Sequence, residues 1–591
     1  MMAVDGRGPG HAPGRVQRVA GPVVVATGLD RTRLYNVVRV GRRGLIGEVI
    51  RLSGDTAVIQ VYESTGGLQV GSDVVDTGGP LGVELGPGLL GQVFDGVQRP
   101  LRTLAADDGH PFGRPFLRRG VDVPALSERD WELDVKVVVD DRVQPGDVIA
   151  TVAETPAIEH RIMVPAGVSG IVTAVSEGPV KTSGTVIWVD DRPVPLTARW
   201  PVRLRRASTR RLDPDTPLVT GMRVVDMLYP VARGGSAAIP GGFGTGKTVH
   251  EQTLAKWSDA DVIIYVGCGE RGNELAEVLE EFPTLVDPRS GASLMDRTIL
   301  IANTSNMPVA AREASIYTAI TIAEYYRDQG YDVAVMADST SRWGEALREV
   351  SSRLEEMPGE EGYPAYLPSR LAEFYERSGT VEALGSPARQ GSVTVIGAVS
   401  PPGGDFSEPV TQYSLRLAGT FWALDADLAR RRHYPAIHWN RSYSLYALDG
   451  WFDDRIDRDW SRHRAWALEL LGREDELQSI VRLLGADALA PIERVTFHTG
   501  RLLREDFLQQ SAYDEIDAYC PLEKQFWMLA AIRHAHDRMI ELASSEDVDA
   551  GEVTSAPVLA ELGRMKFWEP EGFGERARGL MQRITEEVAG A

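Results

Sequence analysis

The octet Gly241-Gly-Phe-Gly-Thr-Gly-Lys-Thr248 constrains the fold of this chain most, because it has the spacing of a phosphate-binding loop. Such a loop joins a strand to a helix, and its glycines let backbone N–H groups point at phosphate oxygens near the positive helix end. Lys247 is suited to the β- and γ-phosphates of a nucleoside triphosphate, and the Thr248 hydroxyl to Mg²⁺. The alternative interpretation is a glycine-rich turn before a helix. The predicted nucleotide-binding residues of the loop are Gly241, Gly242, Phe243, Gly244, Thr245, Gly246, Lys247 and Thr248.

Composition is that of a soluble protein with several domains. The chain has 591 residues, which is too long for one hydrophobic core, so roughly three to five domains are expected. Hydrophobic residues make up 43% and charged residues 25%, both ordinary for globular proteins. A net charge of −21 provides no broad field that attracts nucleic acid. No nucleic-acid partner is therefore predicted.

Cysteine content and hydropathy bear on the compartment. Cys268 and Cys520 are the only cysteines, so no disulfide framework is expected, which suits a reducing cytosol. Cys268 is interpreted as a small apolar filler. No run of about twenty apolar residues and no apolar leader occurs, so membrane involvement is expected only through partners.

Two β-rich blocks precede the phosphate loop. In the first, short runs such as Ala57-Val-Ile-Gln-Val-Tyr alternate with Gly and Asp turns, which predicts a small β-barrel. The second contains Leu133-Asp-Val-Lys-Val-Val-Val and Thr185-Val-Ile-Trp-Val between Pro-Gly and Gly-Pro turns. Its hairpins are similar to lipoyl or biotinyl carrier domains, but no lysine lies between Val137 and Val180 to hold such a cofactor. The second block is therefore interpreted as a structural or docking insert.

The pattern then changes to strands alternating with helices. Apolar runs such as Asp261-Val-Ile-Ile-Tyr-Val and Asp332-Val-Ala-Val-Met-Ala predict a parallel sheet buried on both faces. Leu468 to Leu484 and Phe526 to Leu542 have helical periodicity, which predicts a helical C-terminal domain. The predicted domains are a flexible tail at 1–14, a β-barrel at 15–77, a connection and start of the core at 78–129, a β-rich insert at 130–195, a phosphate-loop domain at 196–440 and a helical domain at 441–591.

Two acidic residues follow strands of the predicted sheet, where open parallel sheets bind ligands. Asp338 is suited to hold Mg²⁺ directly or through water, although a helix N-cap is the alternative. Glu270 can orient the water that attacks the γ-phosphate, and the adjacent Arg271 can meet phosphate oxygens. Glu274, four residues on, is interpreted as an acid in the first turn of a helix.

Aromatic side chains are candidates for contact with a nucleotide base. Tyr434 and Tyr513 could enclose adenine, although a core position is the commoner role for an aromatic residue. His433 and His438 are interpreted as structural. No His/Cys cluster has transition-metal spacing, so Mg²⁺ with ATP or ADP is the predicted cofactor.

Taken together, the motifs resemble those of the catalytic A subunit, the alpha chain, of V-type and archaeal-type rotary ATPases. The resemblance extends over nearly the whole chain. The matching motifs are Gly21-Pro-Val-Val-Val-Ala, Gln60-Val-Tyr-Glu-Ser-Thr-Gly-Gly-Leu, Leu85-Gly-Pro-Gly-Leu-Leu, Asp95-Gly-Val-Gln-Arg-Pro-Leu, Thr220-Gly-Met-Arg-Val-Val-Asp, Gly267-Cys-Gly-Glu-Arg-Gly-Asn-Glu, Asp338-Ser-Thr-Ser-Arg-Trp, Glu355-Glu-Met-Pro-Gly-Glu-Glu-Gly-Tyr-Pro-Ala-Tyr and Ser400-Pro-Pro-Gly-Gly-Asp-Phe-Ser-Glu-Pro-Val-Thr.

The resemblance implies a multidomain α/β fold with an N-terminal β-barrel, an inserted β-rich bulge domain, a RecA-like core and a C-terminal helical domain. It implies the roles argued above for Lys247, Thr248, Glu270, Arg271 and Asp338, and adenine contacts for Tyr434 and Tyr513. Gly242 departs from the family pattern, which usually has Pro there. The implied activity is ATP hydrolysis or synthesis coupled to proton or sodium translocation.

The resemblance also implies partners and a location. These are non-catalytic B-type subunits in an alternating hexamer, a central rotor stalk, peripheral stator subunits and a membrane ion-translocating sector, at the cytoplasmic face of a membrane. Two alternatives belong to other classes. A RecA-like hexameric nucleic-acid translocase is disfavoured by the charge of −21, and a type III export ATPase is disfavoured because it would lack the insert.

Overall fold

The computed structural model describes residues 13–105, 119–121, 123–544 and 550–588. These residues form two compact units. The first unit contains the chain up to Asp213 together with Ala260–Ser400 and Phe406–Leu417, and the second contains the remainder. The predicted tail at 1–14 lies outside the described residues except for its last two, and much of the connection after residue 105 lies outside them as well.

Six antiparallel strands close into a barrel at the start of the first unit. Its interior is filled by β-branched side chains that alternate with outward-facing residues, and Val24, Val38, Val49 and Ile59 are completely buried. The predicted N-terminal barrel is confirmed. In spatial order around the barrel the strands are Gly14–Ala20, Val23–Thr27, Thr56–Val61, Leu45–Ser53, Asn36–Val40 and Asp73–Pro80.

A parallel sheet with flanking helices forms the core of the first unit. The apolar strands are buried on both faces, which is why they read as continuous runs of Val, Ile and Ala. In spatial order the parallel strands are Gln390–Val399, Asp332–Asp338, Val262–Glu270, Thr298–Thr304 and Val93–Phe94. The helices of this unit are Leu101–Ala105, Gly272–Glu281, Val309–Asp328 (the long core helix), Thr340–Arg353 (the cleft helix), Leu367–Tyr375 and Pro409–Leu417.

Antiparallel hairpins around a separate apolar cluster form the insert. Trp131, Ile149, Val172 and Val186 lie at its centre. One predicted strand is shorter than expected. Of the run Leu133–Val139 only Asp134–Val135 pairs as a strand, and the chain turns further on, where the Val138 N–H donates to Asp141 Oδ2 at 2.8 Å. The longer strands are Val148–Ala153, Glu159–Met163, Gly170–Val175, Thr185–Val189 and Arg192–Pro195.

A buried polar network joins the insert to the long core helix. Glu154 of the insert accepts a hydrogen bond from the Gly88 N–H at 2.7 Å and another from the Tyr326 hydroxyl at 3.1 Å. His160 Nδ1 lies 2.7 Å from Glu154 Oε2, and His160 Nε2 lies 2.8 Å from the Tyr325 hydroxyl. Because buried polar groups that lose their partners are costly, this network holds the insert in one orientation on the core.

Replacing Glu154 with glutamine is expected to destabilise the first unit by about 2 kcal/mol at pH 7, since charge-assisted hydrogen bonds inside the protein are lost. Burial raises the pKa of Glu154, but the His160 charge and the hydrogen bonds outweigh burial and lower it overall. A carboxyl with a lowered pKa stabilises the fold above its unfolded pKa and loses that contribution as the pH falls.

Denaturant unfolding of the wild-type protein and the Glu154→Gln variant at pH 7 and pH 4 measures this effect. The difference between the two proteins is expected to shrink at the lower pH. Glu159→Gln serves as the control, because Glu159 is an exposed acid on the same hairpin. An equal difference at both pH values would contradict the assignment of the network.

The second unit combines a small part of the α/β fold with the C-terminal helices. Its strand Ser236–Pro240 leads into the phosphate loop and pairs in parallel with Thr420–Phe421. The predicted helical domain is confirmed, and both periodic segments identified in the sequence are helical. The helices of this unit are Lys247–Trp257, Ala426–Arg430, Asp449–Arg455, Trp460–Leu484, Pro491–Leu502, Leu522–Ala543, Ala550–Thr554 and Phe573–Val588.

Candidate functional site

The octet 241–248 has the backbone geometry of a phosphate loop. It joins the buried strand Ser236–Pro240 to the helix Lys247–Trp257. Gly244 and Gly246 have φ angles of 74° and 85°, a region that favours glycine, and Gly246 is the residue that precedes the helix. The loop therefore presents backbone N–H groups at the positive end of a helix, which suits an anion.

Polar contacts within the loop fix its shape. The Thr245 hydroxyl donates to the Gly242 carbonyl at 2.8 Å, and Lys247 Nζ donates to the carbonyls of Gly241 and Gly242 at 2.6 and 3.0 Å. The ammonium group thus lies against the loop itself. Phe243 is largely exposed at the tip. Proline, usual at position 242 in the resembling family, is not needed for this conformation.

The two candidate adenine contacts lie near each other but differ in exposure. The Tyr434 ring is 3.8 Å from the position that a Cβ on Gly246 would take, and its hydroxyl lies 3.1 Å from Thr253 Oγ1. The Gln510 N–H donates to the Tyr434 carbonyl at 2.7 Å, which brings the segment of Tyr513 alongside. Tyr513 is 91% exposed and can stack on a planar ligand, whereas Tyr434 packs beneath the loop.

In the first unit, Glu270 and Asp338 end neighbouring parallel strands. Gly267 is the register partner of Asp338, so Glu270 lies three residues further along the adjacent strand. Asp338 is only 3% exposed, and its Oδ2 accepts a hydrogen bond from the Tyr265 hydroxyl at 3.1 Å. The N-cap of the following helix is Ser339, so the alternative role of Asp338 as the cap is not supported. Two acids converge at the carboxyl edge of the sheet, where the sequence pattern predicts them.

The environment of Glu270 favours its protonated form. Burial, then the charge of Asp338, then the hydrogen bond and charge of Glu274 raise the pKa of Glu270 to about 8, while the charge of Arg342 acts in the opposite direction. A carboxyl group with a pKa near neutrality is suited to accept and return a proton.

The other sequence-predicted residues of this edge have simpler surroundings. Arg271 is largely exposed, and its Nη1 lies 3.9 Å from Glu274 Oε1. Glu274 lies in the first turn of its helix, as the sequence predicts. Cys268 is fully buried, and burial raises the pKa of its thiol to about 12, in keeping with an inert apolar role. In the second unit, His433 is buried and its Nε2 lies 2.8 Å from the Arg504 carbonyl, which fits a structural residue.

Two residues near the carboxylates were missed in the sequence. Tyr265 orients Asp338 from within the same sheet, and Arg342 sits on the cleft helix, close enough to Glu270 to lower its pKa. Arg342 Nη1 also bonds both carboxylate oxygens of Glu345 at 2.9 Å. The signal for Arg342 was its place in Asp338-Ser-Thr-Ser-Arg342, one helical turn after the strand end.

Family models match four successive segments of the chain. These are the ATP synthase alpha/beta family beta-barrel domain at residues 16–78, the barrel-sandwich domain of ATP synthase alpha/beta subunits at 123–203, the ATP synthase alpha/beta family nucleotide-binding domain at 221–444 and the C-terminal domain of V and A type ATP synthase at 449–550.

Full-length relatives agree with these matches. The chain is 55% identical to the A subunit of the A-type ATP synthase of Methanopyrus kandleri, with 97% of this chain and 98% of the relative covered. It is 57% identical to an A subunit, numbered 2, of the A-type ATP synthase of Methanospirillum hungatei, with 94% of each covered. The corresponding A subunit of Thermococcus kodakarensis is 55% identical, with 97% of this chain and 98% of the relative covered.

Proposed function

This chain belongs to the family of the A subunits of A-type ATP synthases, and we propose that its phosphate loop binds the phosphates of Mg-ATP and that Glu270 and Asp338 serve the hydrolysis and synthesis of ATP. As a member of the family it is the catalytic component of an ion-transporting rotary ATPase that hydrolyses or synthesises ATP. The near full-length identity disfavours the alternatives of a nucleic-acid translocase and an export ATPase. The main observation that supports this proposal is the phosphate-loop geometry, found in a chain that belongs to this family.

Each residue of the proposed site is assigned a role that its side-chain chemistry allows. Loop N–H groups and Lys247 hold the β- and γ-phosphates, and Tyr513 with Tyr434 receives the adenine. Glu270 orients the attacking water and, as the carboxylate, accepts its proton while the water oxygen bonds to the γ-phosphorus. The bond from the γ-phosphorus to the β,γ-bridging oxygen breaks, and ADP and inorganic phosphate are the products. Arg271 meets phosphate oxygens after turning from Glu274, which is a small cost for an exposed ion pair. In synthesis the same groups act in reverse.

The oxygen donors of the chain fit Mg²⁺. Asp338 is a buried carboxylate held by a tyrosine hydroxyl, and Thr248 is the second residue of the loop helix, so the donor set consists of hard oxygens with no sulfur or imidazole. Asp338 and Thr248 would hold the ion, which when bound neutralises charge on the β- and γ-phosphates. Tyr265 keeps Asp338 in position.

The family also indicates the assembly. The protein is part of a multisubunit ATP synthase. We propose B-type subunits as its neighbours in an alternating hexamer, with a central rotor stalk, peripheral stator subunits and a membrane ion-translocating sector. Among the described residues no helix is both long and apolar enough to cross a bilayer. We propose that these partners attach the subunit at the cytoplasmic face of a membrane.

Replacing Lys247 with alanine is expected to abolish productive Mg-ATP binding, because the charge that meets the β- and γ-phosphates is lost. Binding of a fluorescent ATP analogue to the full chain measures the effect. Lys256→Ala, at the other end of the same helix, is the matched control and should bind as the unmodified chain does. Unaltered ATP affinity in Lys247→Ala would contradict the proposed site.

A further inference from the structure

A charged cleft lies in the first unit between the start of the long core helix and the cleft helix. Its volume is about 720 Å³. Arg312 enters it from the first turn of the long core helix, and Arg348 and Arg353 enter it from the cleft helix. Three glutamates line the same space: Glu345, Glu349 and Glu356. The net charge that the cleft presents to a ligand depends on which of these side chains are already paired with one another or with neighbours.

Each glutamate of the cleft has an arginine partner. Glu345 pairs with Arg342 at 2.9 Å, Glu349 with Arg353 at 2.7 Å, and Glu356 with Arg51 at 3.2 Å. Because these carboxylates are neutralised locally, they do little to repel an anion that enters the space.

Two arginines of the cleft have no carboxylate partner among the residues that the structure describes. Arg348 stacks over the Tyr363 ring at 4.9 Å. Arg312 is only 7% exposed, its Nη2 donates to the Ser305 carbonyl at 2.8 Å, and its Nε makes no hydrogen bond within the described part of the chain. A buried guanidinium group without a counter-ion is costly, which applies to Arg312, and the half-buried Arg348 adds a second positive charge to the cleft.

Arg312 also touches the strand that ends at Glu270. A Cβ on Gly269 would lie 3.0 Å from Arg312 Nε, so a glycine is required where the arginine passes the strand end. The Cys268 thiol donates to the Arg312 carbonyl at 3.5 Å. One side chain of the cleft, Arg312, thus packs against the residue that precedes Glu270 in the strand.

We infer that this cleft is a second anion site, in which Arg312 and Arg348 bind inorganic phosphate. Two unpaired guanidinium groups match the charge of a phosphate group, about −1.5 to −2 at pH 7, and their planar forks suit its oxygens. The inference rests on the proposed function for the source of the phosphate, which is the product of hydrolysis and a substrate of synthesis. Phosphate that is produced by hydrolysis next to Glu270 is then held in this cleft.

Phosphate binding to the full chain tests this site. The Lys247→Ala background is used, so that binding at the nucleotide loop does not contribute, and inorganic phosphate is titrated by isothermal calorimetry and ³¹P NMR. One phosphate per chain is expected. Arg348→Gln should weaken its affinity about 10- to 100-fold, the usual effect of a lost charge-assisted hydrogen bond. Arg312→Lys, which keeps the charge but not the fork, should also weaken it.

Arg416→Gln is the matched control. Arg416 is an exposed helix arginine of the same unit that stacks over Tyr413 at 5.9 Å and does not line the cleft. Its affinity for phosphate should stay within about two-fold of the background. Phosphate affinity that is the same in Arg348→Gln and in the background would overturn the inference, and so would the absence of phosphate binding.

Phosphate binding measured in the assembled complex distinguishes phosphate from a partner segment as the occupant of the cleft. If a carboxylate-rich segment of a partner protein fills the cleft, phosphate binding that depends on Arg348 will disappear on assembly, and the inference is then wrong. Persistence of that binding in the complex supports it. The ATP affinity of the Lys247→Ala chain is measured separately, so failure of the proposed nucleotide site is distinguishable from failure of the phosphate site.

Discussion

Replacing Glu270 with glutamine is expected to leave Mg-ATP binding in place and to slow turnover by about 10²- to 10⁴-fold. The amide keeps the size of the side chain and can still hydrogen-bond water, but it cannot accept a proton at neutral pH. The position of Glu270 at a strand end, one strand away from Asp338 at the same edge of the sheet, is the structural basis of this expectation.

Steady-state ATPase assays on the assembled complex, together with nucleotide binding to the variant, measure the effect. Glu277→Gln is the control, because Glu277 is an exposed acid on the helix that follows Glu270. Hydrolysis by Glu270→Gln at the unmodified rate would show that another group activates the water. Loss of nucleotide binding would instead assign Glu270 a role in holding the substrate.

The isolated chain is expected to bind ATP and to turn it over about 10³- to 10⁵-fold more slowly than the complex, the usual contribution of an arginine supplied in trans. Of the arginines near Glu270, Arg342 is held by both carboxylate oxygens of Glu345, whereas Arg271 is assigned to phosphate oxygens and Arg312 to the cleft. The family resemblance implies that the arginine completing the site belongs to the neighbouring B-type subunit.

ATPase activity is measured for the purified chain alone, with its B-type partner, and with a partner whose interface arginine is alanine. Activity should rise on addition of the partner and fall back with the alanine variant. A monodisperse monomer with the full activity of the complex would rule out a shared site and would point to a self-sufficient NTPase.

The sequence alone was sufficient to predict those parts of the candidate site whose function depends on the local backbone conformation. The glycines of 241–246 allow the φ angles that the loop adopts, and the helix that begins at Lys247 follows directly. Glu270 and Asp338 could be placed because an apolar strand ends at each, and parallel strands present their carboxyl ends at one edge. The resemblance extended this interpretation to the order of the domains.

Contacts between distant segments could not be predicted in this way. Glu154 and Tyr326 are separated by 172 positions, and nothing near either residue indicates their pairing. The insert was interpreted as a structural or docking block, and the contact that anchors it to the long core helix could not be predicted from either segment. The run Leu133–Val139 shows the same limit at short range, because propensity predicted a longer strand than the pair Asp134–Val135 and gave no sign of the turn in which the Asp141 side chain accepts a hydrogen bond.

The sequence by itself determined the phosphate loop, the alternation of strands and helices and the two acids at the sheet edge, since these depend on residues adjacent in the chain. Only the tertiary structure decided which charges remain without carboxylate partners among the described residues. Arg312 and Arg348 look like any other arginines in the sequence, and their significance appears only when the carboxylates around them are seen to be paired elsewhere. Electrostatic free energy depends on burial and on distance in space, and neither quantity is a property of neighbouring residues alone.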